Sequence, residues 1–91
     1  MEIIKSSIVI AKAGRDKGKL FVVVDVMGDY AYIADGKSRK IEKPKKKKIK
    51  HLSFFNNNET RLGDDLLSGE KITNAKIRKC LQSVVSAYGL E

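Results

Sequence analysis

The chain of 91 residues has no tryptophan, one proline, one histidine and one cysteine. Cys80 alone cannot form an intramolecular disulfide, and with only His51 beside it in the inventory there is no Cys/His set at zinc-ligand spacing. That cysteine usage points to a reducing compartment, and the chain is expected in the cytoplasm. No stretch approaches the about 20 apolar residues that would span a membrane. The start, "MEIIKSSIVIAKAG", lacks a basic n-region and a long apolar h-region, so it does not read as a signal peptide. No carboxylate pair, Ser/His/Asp set or metal cluster stands out. The chain is therefore not expected to be an enzyme, and no cofactor or small-molecule substrate is expected. Aromatics are scarce too. Tyr30, Tyr32, Phe54 and Phe55 could stack on bases, but a domain this small needs most of its rings inside.

What the chain does have is positive charge in one place. The net charge is +8. Between positions 36 and 51 stand Lys37, Arg39, Lys40, Lys43, Lys45, Lys46, Lys47, Lys48 and Lys50, opposed by Glu42 alone, so this segment carries the whole excess. Charge packed this closely repels itself unless a polyanion or counterions offset it. Nucleic acid is the first partner such a segment implies, and an anionic membrane surface the second. The remaining composition, 42% hydrophobic, is that of a folded protein rather than a disordered one.

The first half reads as β. "SIVIAKAG" is a short β-branched run ended by Gly14; "LFVVVDVMG" is a stronger one; "YAYIADG" follows after a Gly28-Asp29 turn. The Asp-Gly pair in "ADGKS" marks another hairpin. Short strands joined by tight turns predict a small barrel. The runs are continuous rather than alternating, as in strands that are buried on both faces or that curl. The lysine segment joins the sheet in this reading. Ile49, Leu52, Phe54 and Phe55 have no place in a solvated tail, so one strand is expected over about 47–55, with Pro44 at its start. Some of the lysines would protect a sheet edge.

Residues of about 57–72 are polar and turn-rich and read as a loop. After them, Asn74 (or Thr73) caps a helix over about 74–88, stopped by Gly89. Ile77, Leu81, Val84, Val85 and Tyr88 form its apolar stripe, with Cys80 at the margin as a core thiol. Lys76, Arg78, Lys79 and Gln82 form its solvated face. The chain is expected to be one domain (1–91), with a barrel over about 1–56.

The loop "AGRDKGK" carries the remaining information. Gly14 and Gly18 permit φ > 0 and leave main-chain N–H groups uncovered; Arg15, Lys17 and Lys19 surround them with cations. Such a loop can hold an RNA phosphate. It can equally be a hairpin connection that the glycines merely shape. Asp16 is expected to accept hydrogen bonds from the turn's own backbone. The spacing is not that of a P-loop.

Strand, "GRDKGK", then a Val-rich strand resembles the KOW motif of ribosomal proteins and transcription elongation factors. With "YIADGKSRKIEKPKKKKIKHL" it is more closely similar to small KOW-domain RNA-binding proteins of the large-subunit ribosomal protein fourteen-e family, over positions of about 7–52. The resemblance implies a mainly β fold, a small SH3-like (KOW) β-barrel with a C-terminal α-helix. It implies RNA binding through Gly14, Arg15, Asp16, Lys17, Gly18 and Lys19 and through the basic strand region with His51 at its end. Ribosomal RNA is the foremost partner, with ribosomal proteins as neighbours. Many family members carry a glycine at the start of the first strand, where this chain reads "KSSIVI". Lys45 to Lys48 and Lys50 read as flexible point charges suited to tracking the backbone rather than to reading bases. Two other readings stand beside this one. The chain could be a KOW-type interaction module that docks on an acidic protein such as transcription machinery. "PKKKK" could also be a nuclear address or a membrane-surface patch, although its apolar continuation argues for a folded segment.

Overall fold

The computed structural model describes residues 2–56 and 71–89. Among these residues, five antiparallel strands form one sheet: β1 (Ile8–Ala11), β2 (Leu20–Met27), β3 (Tyr30–Ala34), β4 (Lys45–Lys48) and β5 (Leu52–Asn56). One helix follows, α1 (Asn74–Tyr88). The sheet order is β4-β3-β2-β1-β5. The first four strands form a meander, and the fifth returns beside the first, as expected for a small SH3-like barrel. The polar segment expected over about 57–72 lies largely outside the described residues.

Two devices curl the sheet. Gly28, at φ 59°, takes the first place of the two-residue β2–β3 turn, which a side chain would resist. A register shift between Val23 and Asp25 then bends β2. Its first half pairs with β1 (Val9 opposite Phe21), while its second half continues along β3 (Met27 opposite Tyr30). Val9, Ala11, Phe21, Val23, Ala31, Ile33 and Leu52 meet inside the curl as one buried cluster.

The continuous apolar runs have a physical explanation. Alternate residues face a second core: Ile8, Val22 and Ala34 pack against Ile77, Cys80, Leu81 and Val84 of α1. The helix covers the outer face of part of the sheet, so those strands are buried on both sides, one of the two readings that the run pattern allowed. Thr73 caps the helix, its Oγ1 accepting from the Lys76 amide at 3.2 Å, and Gly89 ends it at φ 64°. Asn74 does other work: its Oδ1 accepts from the Ile41 amide at 2.8 Å, and its Nδ2 donates to Glu42 at 2.9 Å. Arg78 Nη1 donates to the Gly36 carbonyl at 2.7 Å. These bonds pin the start of α1 to the β3–β4 loop. Tyr88 extends the stripe but stays exposed, meeting Phe55 edge-on at 5.1 Å.

One expectation is corrected. The single strand foreseen over about 47–55 is two strands separated by a 3₁₀ turn, Ile49–His51. Four lysines form β4 at one edge, and "LSFFN" forms β5 beside β1. The turn lets the chain cross from one end of the sheet order to the other while Ile49 packs under the inner cluster. A straight strand could not place both halves against their partners. A bulge between Ile8 and Val9 in the β1–β5 pairing accompanies the packing of Phe55 on the helix side.

The start of β1 has its own feature. Ser6 sits at φ 86°, a conformation that glycine adopts without strain, and its amide donates to Val23 O at 2.8 Å. The first-strand register is then set by Ile8 opposite Val22.

Candidate nucleic-acid interface

The β1–β2 loop is built by its own backbone. Lys17 N donates to Gly14 O, Gly18 N to Ala11 O and Lys19 N to Asp16 O. Gly14 and Gly18 hold φ 81° and 86°, so both glycines serve the turn. Of the loop amides, those of Gly14, Arg15 and Asp16 have no hydrogen-bond partner among the described residues. Gly14 and Arg15 are exposed while Asp16 is buried, so the two exposed residues' free N–H groups, with Arg15, Lys17 and Lys19 around them, suit an anion. All three cationic residues are exposed.

Asp16 does not behave as expected. Its carboxylate bonds no turn amide. It accepts instead from Arg39, at 2.9 Å from Nη2 and 3.3 Å from Nε. The side chains are 7% and 30% exposed respectively, so the carboxylate is the sheltered member of the pair. The reason lies in the β3–β4 loop. Asp35 Oδ1 accepts from the amides of Lys37 and Arg39, while Arg39 O accepts from the amides of Asp35 and Gly36. That tight loop aims the guanidinium at Asp16. Both residues are therefore engaged with each other, and they tie two loops that are far apart in sequence.

The lysines of β4 are not equivalent. Strand alternation puts Lys45 and Lys47 on the side of Ile33 and Ala31, and Lys46 and Lys48 on the side of Tyr32 and Tyr30. Lys47 Nζ donates to Ala13 O at 2.8 Å and closes the gap between β4 and the β1–β2 loop. Its ammonium lies so near Gly14 that a Cβ there would stand 3.3 Å from it. Lys46 Nζ sits 4.4 Å from the Tyr30 ring centroid. Lys45, Lys48 and Lys50 are exposed.

The structure brings part of the foreseen set together and divides the rest between the two faces of β4 and the groove beside α1. Lys40, Lys43, Lys45 and Lys46, with Ser38 and Arg39, line an open groove of about 500 Å³. Lys48 and Lys50 line a second groove with Asp29, Tyr30 and Ile49. Lys37 is displaced from this surface. It lines a separate groove with Lys19 and Arg78 against α1. His51 is half-buried in the 3₁₀ turn, where its carbonyl accepts from Lys12 N. Arg78, read as part of a solvated helix face, instead anchors the helix to Gly36. That contact spans 42 positions and has no local sequence signal. The two tyrosines of β3 point outward rather than into the core, and the residues opposite them could have shown it only once the register was known.

Among the described residues, no group of His, Cys, Asp and Glu could hold a metal ion, and no helix is long and apolar enough to cross a membrane. Neither a family model nor a curated protein sequence matches this chain.

Proposed function

We propose that this chain is an RNA-binding protein of KOW type, working on ribosomal RNA or at the ribosome, and that it holds phosphates on a surface shared by the β1–β2 loop and the lysine strand. One observation carries the reading. Lys47 to Ala13 and Arg39 to Asp16 tie the β1–β2 loop to the lysine strand and to the β3–β4 loop, so the loop amides and the cations on both faces of β4 are held in a fixed relation to one another. A preorganised surface spends less of its attraction on ordering side chains and loops than a cationic tail would. The contacting groups in this reading are the amides of Gly14 and Arg15 and the side chains of Arg15, Lys17, Lys40, Lys43, Lys45, Lys46, Lys48 and Lys50. Asp16, Arg39 and Lys47 hold the surface together. Recognition led by phosphates favours RNA shape over sequence.

The test is a titration of the chain against ribosomal RNA fragments across a salt series. If about five phosphates are neutralised, log K falls against log salt with a slope of about −3.5 to −4.5. Sedimentation with ribosomal subunits in low and high salt places the binding in context. Nuclease treatment that leaves the partner bound would instead identify a protein partner and overturn the reading.

A further inference from the structure

The outer face of the β2–β3–β4 ribbon is left open by α1. The register brings Met27 opposite Tyr30 and Tyr30 opposite Lys48, then Asp25 opposite Tyr32 and Tyr32 opposite Lys46. Opposed residues share a face. Both tyrosines are half-buried and belong to neither apolar cluster, while Met27 is 65% exposed. Two rings therefore stand in a row, with cations along the β4 side and the Asp25 carboxylate on the far, β2 side.

We infer that this face is a stacking platform for unpaired bases of a single-stranded RNA segment, with its phosphates along Lys46 and Lys48. The inference deepens the RNA-binding reading and rests on it. Charge complementarity orients the strand: the backbone follows β4, and the bases lie over β3 with Asp25 beyond them. Residues i and i+2 of a strand lie about 6.7 Å apart, roughly twice the 3.4 Å rise of stacked bases. Bases set against the two rings must be unstacked from each other, which a duplex does not supply. Lys46 now occupies the Tyr30 ring. An exposed cation–π contact is worth a factor of about 2 to 5, whereas stacking a base on an aromatic ring is worth a factor of about 5 to 150. The base displaces the ammonium, which is then free to meet the adjoining phosphate.

The chain has no tryptophan and three tyrosines, so a Tyr88→Phe background leaves Tyr30 and Tyr32 as the fluorescent reporters. The full chain is titrated with a mixed-sequence 12-nucleotide RNA, its duplex, and an abasic strand that keeps the phosphates. Single-stranded RNA is expected to quench tyrosine emission and to bind at least about 20-fold tighter than the abasic strand. Tyr30→Leu with Tyr32→Leu, which keep apolar bulk, should weaken single-strand binding about 20-fold or more, leaving duplex and abasic binding and the salt slope unchanged. Tyr→Phe at both sites should retain affinity within about twofold. Equal losses on all three probes, or no quenching with binding intact, overturn the platform while leaving phosphate binding standing. Absence of binding to every probe overturns both.

Discussion

Replacing Lys47 and replacing its neighbours should have different consequences, although the four residues Lys45 to Lys48 are identical in type. A Lys45→Ala, Lys46→Ala, Lys48→Ala triple variant removes three exposed cations and leaves the Lys47–Ala13 bridge in place. Each phosphate contact contributes about 0.7 to 0.9 to the salt slope, so the slope should become shallower by about 2.1 to 2.7. Taking the electrostatic term to vanish near 1 M salt, affinity should fall about 100- to 500-fold at 0.1 M and about 10- to 25-fold at 0.3 M. The melting temperature should barely move. Lys47→Met keeps the aliphatic stem but removes the donor that reaches Ala13 O at 2.8 Å. That bond is half-exposed, so its loss should cost about 1 kcal/mol, or about 4–8 °C in a domain of this size. Its effect on the salt slope should stay below about one contact. Fluorescence anisotropy over a salt series and thermal melting by circular dichroism read the two quantities separately. If Lys47→Met left the melt unchanged and cut the slope as much as any other lysine, the division of labour within β4 would be refuted.

Three further outcomes follow from the same geometry. Gly18→Ala and Gly36→Ala both place a Cβ at positive φ, worth about 1–2 kcal/mol of strain, but only the Gly36 Cβ would run into the Asn74 carbonyl. Thermal melting should therefore show Gly36→Ala as the more damaging, by about 1 kcal/mol or more, with loss of helical signal first. Arg39→Met should leave the sheltered Asp16 carboxylate unpaired and cost about 2–3 kcal/mol in a denaturant titration, and adding Asp16→Asn should recover part of it. Ser6→Gly should relieve the φ 86° strain, partly offset by the freer unfolded chain, for a net gain of about 0.5 kcal/mol in the same assay.

The legible parts of this fold were those set by neighbours in sequence. The helix could be read to within a residue of its ends because capping residues act within one turn and its apolar spacing is regular; the cap fell to Thr73, the second choice, because Asn74 is drawn to Ile41 and Glu42. The strands β1, β2 and β3 were legible from β-branched runs closed by glycines. The break at Ile49–His51 was not legible, because "KKKKIKHLSFF" contains no glycine or proline where the chain turns. Only the need to place Lys45–Lys48 beside β3 and Leu52–Asn56 beside β1 forces a turn there.

The candidate site divides in the same way. Composition and position alone determined that the excess charge lies in one segment and that a glycine-bearing cationic loop precedes it, because both are properties of consecutive residues. Which cations are free was decided by tertiary structure. Asp16 takes Arg39 across 23 positions, and Lys47 takes Ala13 across 34. Strand pleating sends Lys46 and Lys48 to the tyrosine face and Lys47 to the other. A side chain's partner depends on which backbone is brought within about 3 Å of it, and that distance is set by sheet register and loop closure rather than by the residue's own neighbours.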